Sequence, residues 1–251
     1  MSTLRIAALV PLLAAALIGA SCSQPAQAPA QTPDRTNADL AFRLGLLSGH
    51  LRIGRELIAA GQTRDALPHF GHPVRELYGD LRPVLAARNV PQFDRDLIAL
   101  ESLAASQPRS PEFSARFDQV TAEVAAARAS IPAATLSSEA FVLGRAADLA
   151  VAAGQEYRNA FIAGRIGSAV EYHDAKGFVA FALAMVRSQD ARASTERTRA
   201  ALADLTRLQA PLAPLNPPDP AIATPDQFDR DVQALRPFQQ GEDRAAQQGL
   251  S

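Results

Sequence analysis

Apolar residues recur at spacings of three and four along the chain from residue 37 onward, which is the periodicity of amphipathic helices. The first helix shows it most clearly, because Leu40, Leu44, Leu47, Leu51 and Ile58 form one stripe. Alanine, leucine and arginine dominate and β-branched runs are absent, so the sequence predicts an all-α, multi-helix up-and-down bundle. Further helices are predicted at about residues 73–88, 91–106, 111–130, 138–163, 168–188 and 193–209.

Two short motifs mark where helices begin. Ser110-Pro111 and Thr224-Pro225 each place a capping hydroxyl before a proline, which suits the first turn of a helix. Thr224 and Gln227 also have the spacing of a capping box. Six prolines within residues 211–225 exclude a helix over that segment and predict a stiff surface connection.

The chain repeats part of its own sequence. QFDRDLIAL at residues 92–100 and QFDRDVQAL at residues 227–235 share seven of nine residues. This similarity predicts that residues 37–251 form a single helical domain of two duplicated units, at about 40–106 and 138–240, packed around a pseudo-two-fold axis. The alternative explanation is that helices rich in arginine, aspartate and alanine resemble one another by composition alone.

The N-terminus has the pattern of an export signal. Arg5 precedes an apolar run over residues 6–18, which is shorter than the roughly 20 residues of a permanent membrane span. The following Ala20-Ser21-Cys22 resembles the lipobox of bacterial lipoprotein precursors. The resemblance implies that residues 1–21 are a cleaved signal peptide and that Cys22, the only cysteine, carries the lipid.

Residues 22–36 join the predicted anchor to the helices. After Cys22 they contain three prolines and no apolar side chain larger than alanine, so they predict an extended tether. The resemblance implies a periplasm-facing lipoprotein held in a membrane of the cell envelope, and Ser23 favours the outer membrane. The alternative is a soluble periplasmic protein cleaved near Ala26-Gln27-Ala28. Apart from this N-terminal resemblance, we expect no domain family to match the chain.

Composition and motifs remove several classes of function. A formal net charge of −1 gives no basic patch for nucleic acid, and one cysteine cannot form an internal disulfide. The chain has no nucleotide-binding loop, no GxSxG and no HExxH motif. Cys22 lies at the predicted anchor, so no activated nucleophile remains and we expect a protein that is not an enzyme.

The densest group of candidate metal ligands lies in PHFGHPVRELY at residues 68–78. His69, His72 and Glu76 would share one side of a continuous helix, and imidazole with carboxylate suits a divalent transition metal. Gly71 and Pro73 are predicted to interrupt that helix, however. His69 would then bond terminal carbonyls and His72 would cap the next helix, which is the structural alternative to metal binding.

Three further residues complete the predicted site. His50 lies on the first helix after Gly49, and an antiparallel second helix would bring it to His69 and His72. In the second unit, Glu171 takes the place that Glu76 has in the first, and His173 follows it. The predicted set is therefore His50, His69, His72, Glu76, Glu171 and His173, facing one another between helices.

Two functions fit these observations. The first is an exported, membrane-tethered helical lipoprotein that binds a metal ion or small metal complex between its helices. The second is a non-catalytic envelope scaffold whose helical hairpins bind a partner protein. The pattern specifies neither the metal, nor the envelope partner, nor the oligomeric state.

Overall fold

The computed structural model describes residues 33–239 of the chain, and most of these residues are helical. The predicted all-α class is confirmed. Within this range no helix is both long and apolar enough to cross a membrane. The first five helices are α1 (Pro33–Ala59), α2 (Thr63–His72), α3 (Tyr78–Ala87), α4 (Asp94–Ser106) and α5 (Pro111–Ala129).

The remaining elements follow in the second half. They are α6 (Ala133–Ser137), α7 (Glu139–Asn159), α8 (Ala169–Arg192), α9 (Glu196–Gln209) and α10 (Pro225–Ala234), with a hairpin of β1 (Phe161–Ile162) and β2 (Arg165–Ile166). The hairpin was not predicted. Ala163 and Gly164 turn it with positive φ, and it occupies the end of the segment predicted as one helix over residues 138–163.

Predicted helix starts agree with the structure. Ser110 accepts a hydrogen bond from the backbone nitrogen of Phe113, and Pro111 is the first residue of α5. Thr224 and Gln227 form the predicted capping box at α10. The first helix starts earlier than expected, because α1 begins at Pro33 within the segment predicted as tether. The anchor at Cys22 and the rest of the tether lie outside the described residues.

The predicted break at Gly71 and Pro73 is wrong. A π-helical turn over Pro73–Leu77 joins α2 directly to α3, and His72 and Pro73 both have right-handed helical backbone angles. Proline lacks a backbone N–H and its ring clashes with the carbonyl four residues earlier. The wider π turn, in which the Tyr78 nitrogen bonds the Pro73 oxygen, carries the chain past the proline. His69 and His72 therefore lie on one continuous helical path.

Buried apolar residues form two clusters. One contains the inner faces of α1 to α5, and the other contains those of α7 to α10. The repeated sequences bury the same positions in each, namely Phe93, Leu97 and Leu100 in one cluster and Phe228, Val232 and Leu235 in the other. The duplication itself stays a prediction.

Two glycines let α1 and α8 touch where the clusters meet. A β-carbon at Gly177 would lie 2.4 Å from the carbonyl oxygen of Gly49, and one at Gly49 would lie 2.5 Å from the Phe178 ring. Only glycine permits this approach of backbone to backbone. His50 follows Gly49, and Asp174 lies one turn before Gly177, so the contact sets the distance between these two side chains.

Candidate metal centre

The buried carboxylate of Asp174 on α8 is in contact with three histidines, one on α1 and two on α2. Asp174 Oδ1 lies 2.7 Å from Nδ1 of His50 and 2.7 Å from Nδ1 of His69. Asp174 Oδ2 lies 3.3 Å from Nδ1 of His72. We call His50, His69, His72 and Asp174 the Asp174 cluster. The side chains of His50, His69 and Asp174 are 6%, 0% and 5% exposed, and that of His72 is 21% exposed, so the cluster is buried on the side of Asp174 and reaches solvent at His72.

The position of each side chain follows from the helices. His50 lies on the inner side of α1, and the short turn after Ala59 sends α2 back along it. His69 and His72 are three residues apart, so they share one face of α2. Asp174 shares its face of α8 with Phe178, whose ring packs edge-on against the His50 ring at a centroid distance of 4.9 Å.

The imidazoles keep the Asp174 carboxylate ionised. Burial alone raises the pKa of Asp174, but the hydrogen bonds from His50 and His69, with His72 close by, outweigh it and hold that pKa far below its ordinary value. The same carboxylate raises the pKa of His72 above its ordinary value, against the opposing effect of burial. The cluster therefore holds one buried negative charge among three bases.

Two nitrogen atoms of the cluster have no hydrogen-bond partner within the described residues. They are the buried Nε2 of His69 and the buried Nδ1 of His72, whose contact with Asp174 is outside hydrogen-bond geometry. One ligand atom each from His50, His69 and Asp174 lies within 4.8 Å of the others. Ligands of a single transition metal ion lie about 2.0 to 2.2 Å from it, so small side-chain movements would suffice to enclose a cation.

The structure places the other predicted residues at the edge of the cluster or away from it. Glu76 Oε1 is 3.9 Å from Nε2 of His72, and its side chain is 61% exposed. Glu171 does not reach the cluster, because it accepts a hydrogen bond from the Ser168 hydroxyl at the start of α8. Glu76 and Glu171 therefore do not join the buried histidines as the predicted set required.

His173 lies beside the cluster but is engaged elsewhere. Its Nε2 is 2.9 Å from the backbone oxygen of Leu215, and its ring centroid is 5.6 Å from that of His69. Burial lowers the pKa of His173, so the neutral ring donating to Leu215 is favoured. His173 thus links the proline-rich segment to α8, and its ring packs edge-on against the ring of His69.

Two carboxylates near the histidines were missing from the predicted set. Asp174 is the centre of the cluster, and Glu156 on α7 is half-buried near it. Burial raises the pKa of Glu156, and the negative charge of Asp174 raises it further. A sequence signal existed for Asp174, which shares a helix face with the apolar Phe178 four residues later. A charged residue on an inner helix face is a candidate for buried chemistry.

Comparison with known proteins adds one finding. Residues 132–237 match a family model described as the iron permease-associated 4-helix bundle domain. The match corrects the expectation that no domain family would be found in the chain. The search of curated proteins and the search of solved structures each returned no match.

The matched span holds part of the cluster. It contains α7 to α10, whose inner faces share one apolar cluster, and it includes Asp174, His173 and Glu156. His50, His69 and His72 precede it. The description ties that family to iron permeation, which is a metal-related role.

Proposed function

We propose that this protein binds one divalent first-row transition metal cation at the Asp174 cluster, with Fe²⁺ as the cargo. The proposal rests on one observation: the buried carboxylate of Asp174 lies 2.7 Å from imidazole nitrogens of His50 and His69, which belong to two other helices. The role is binding without catalysis, in an exported protein tethered to the envelope through Cys22. The iron permease-associated description of residues 132–237 supports iron over other metals of the same size and charge.

The donor set suits this class of cation. Imidazole nitrogen is a ligand of intermediate softness that binds iron, zinc, copper and nickel, and a carboxylate adds charge. His50, His69 and Asp174 would provide the first ligands, and His72 would provide a fourth from the same side. Nδ1 of His50 and of His69 faces Asp174 as a hydrogen-bond donor, so ligation through that atom requires its proton to move to Nε2 of the same ring or to leave the site.

Titration of the purified protein with Fe²⁺ without oxygen tests this proposal. We expect saturable binding at one site by calorimetry, and a visible absorption band when Co²⁺ takes the same site. His69→Gln should raise the dissociation constant by about 100-fold or more, because it removes a ligand and replacing even an outer partner costs 10- to 100-fold.

Glu171→Gln is the matched control for that titration. It removes a half-buried carboxylate from the same region of the fold, but Glu171 bonds Ser168 and does not reach the cluster. Its dissociation constant should stay within about twofold of the wild type. Absence of saturable binding in the wild type, or an equal loss in both variants, would leave the cluster with a purely structural role.

The charge of Glu156 should strengthen cation binding without ligation. Glu156→Gln removes a half-buried negative charge whose interaction with the cluster is electrostatic, so we expect the Fe²⁺ dissociation constant to rise by about 3- to 10-fold. Glu76→Gln is the comparison, because its carboxylate is 61% exposed and screened by solvent. An effect of Glu76→Gln as large as that of Glu156→Gln would refute this electrostatic assignment.

A further inference from the structure

A groove open to solvent lies beside α1, and none of the residues that line it belongs to the Asp174 cluster. It has a volume of about 640 Å³ and is bounded by α1, α5 and α8. Cavities of roughly 300 to 1,000 Å³ are typical for small-molecule ligands. We call it the arginine groove, and its apolar walls include Leu44, Leu51, Phe117, Val124, Phe181 and Met185.

The helices bounding the groove fix its direction. Arg55 lies over the Phe117 ring at 4.5 Å, so the end of α1 meets the beginning of α5. At the other end, Arg88 donates to the Ser130 carbonyl and to the Asn37 side chain, so the end of α5 meets the beginning of α1. The two helices are therefore antiparallel. The lining from Ala41 to Ala59 extends along α1 for about 27 Å.

The charges on the groove are mostly positive. Three arginines line it, Arg52, Arg55 and Arg128, against one carboxylate, Glu56, whose Oε1 is 3.6 Å from the ammonium of Lys176. Arg55 has a partner in Asp118 at 3.4 Å. Within residues 36–239 no acidic side chain lies within ion-pair distance of Arg52 or Arg128. The groove thus has unneutralised positive charge beside an apolar channel.

Arg128 is a half-buried cation without a counter-ion in the described part of the chain, which makes it the best candidate in the groove for binding an anion. It lies at the end of α5, where burial lowers its pKa and the nearby positive charge of Arg192 lowers it further. Arginine keeps its proton in proteins, so the guanidinium remains charged without a counter-ion. A carboxylate can accept two parallel hydrogen bonds from that group and would neutralise it.

We propose that the arginine groove binds a long-chain fatty carboxylate, with its head group at Arg128 and its chain along α1 between α5 and α8. The length of the lining, its apolar walls and the unpaired cation at one end all match a single-chain monoanion. The inference is independent of metal binding, because none of the residues lining the groove belongs to the Asp174 cluster.

Displacement of a fluorescent fatty carboxylate from the purified full chain tests the proposal, with palmitate as competitor below its micelle concentration. We expect one palmitate per chain. Hexadecanol and hexadecyltrimethylammonium, which have the same chain with a neutral or positive head, should bind at least about 10-fold more weakly. Equal binding of hexadecanol would overturn the proposal, and so would the absence of palmitate binding.

Two variants locate the head group. Arg128→Gln should weaken palmitate binding by about 10-fold or more. Arg187→Gln, the matched control at an exposed arginine of α8 outside the lining, should change it by less than about twofold. Ala125→Phe fills the groove from an exposed position on α5 and should abolish binding even if Arg128→Gln fails to fold. Unchanged binding in Arg128→Gln or in Ala125→Phe would refute the proposed pose.

An anionic phospholipid in a membrane also combines an anionic head group with acyl chains, so the groove could contact a membrane surface instead of a free fatty carboxylate. Vesicles of phosphatidylglycerol and phosphatidylcholine, tested by co-sedimentation, distinguish it from a free ligand. We expect no dependence of vesicle binding on Arg128. Vesicle binding that Arg128→Gln abolishes, together with no displacement by free palmitate, would overturn the proposal in favour of a membrane contact.

Discussion

Replacing the carboxylate at the centre of the histidines is expected to have the largest effect on this protein. Asp174→Asn keeps the shape of the side chain but removes the negative charge that His50, His69 and His72 share. Its amide offers one oxygen where the carboxylate offered two, and an NH₂ group where the other oxygen was. Hydrogen bonds to a charged group contribute about 1.5 to 3 kcal/mol each, against about 1 kcal/mol for neutral ones. Because two imidazoles lose such a partner, we expect the free energy of unfolding to fall by about 3 kcal/mol.

The same substitution should remove metal binding. Asp174 is the charged ligand of the proposed site, so the Fe²⁺ dissociation constant should rise by more than about 100-fold. Urea unfolding in the presence of a chelator measures the first effect, and calorimetric titration measures the second. The two readouts separate two roles of the cluster: a loss of stability with unchanged affinity would make Asp174 a structural group and would contradict its role as ligand.

Glu171→Gln is again the matched control, three residues earlier on α8. Its carboxylate bonds a hydroxyl at the helix start, and no imidazole contacts it. Substitutions of this kind usually change stability by less than about 0.5 kcal/mol. If Glu171→Gln and Asp174→Asn were equally destabilising, the effect would belong to the beginning of α8 rather than to the cluster.

The sequence predicted the class of the fold because helical periodicity and capping are local properties. The stripe on α1, the cap at Ser110 and the capping box at Thr224 each depend on residues within a few positions of one another. The π turn over Pro73–Leu77 was not predictable in this way. Proline and glycine together predict a break, and only the packing of the helix on both sides holds the chain on a helical path through them.

The candidate site was predicted in part, for the same reason. His50, His69 and His72 lie on two helices adjacent in the chain, and adjacent helices pack antiparallel, so their convergence follows from order along the sequence. Asp174 comes from a helix more than one hundred residues later, so its register against α1 is a tertiary property. The comparison of two repeated units selected Glu171 instead, because both units have an acidic residue there.

The close contact between Gly49 on α1 and Gly177 on α8 sets the register of these two helices, and disturbing it should have the second largest effect. Gly177→Ala adds a β-carbon that would lie 2.4 Å from the Gly49 carbonyl oxygen and 3.1 Å from Ile53 Cγ2. Backbone cannot move aside as a flexible side chain can, so α1 and α8 must separate. Overpacking of this kind costs about 1 to 3 kcal/mol, and we expect the upper end of that range.

Separation of the two helices should also weaken the metal site, without any change to a ligand. His50 follows Gly49 directly and Asp174 precedes Gly177 by one turn, so the 2.7 Å contact between them lengthens as the backbones part. We expect the Fe²⁺ dissociation constant of Gly177→Ala to rise by about 10-fold or more, since losses of 10- to 100-fold follow when ligand orientation is disturbed. Unfolding in urea and calorimetric titration, carried out on the same preparation, measure both effects.

Gly79→Ala is the matched control for the close contact. Gly79 lies in α3, and a β-carbon there would meet nothing within 4 Å. Alanine favours a helix over glycine by about 0.8 to 1.0 kcal/mol, so this variant should be as stable as the wild type or more stable, with unchanged Fe²⁺ affinity. If Gly177→Ala behaved like Gly79→Ala in both measurements, the approach of α1 to α8 would not be what positions His50 against Asp174. A loss in Gly177→Ala alone would show that the close contact at Gly177, a position without a side chain, helps determine the geometry of a site whose ligands lie on three helices.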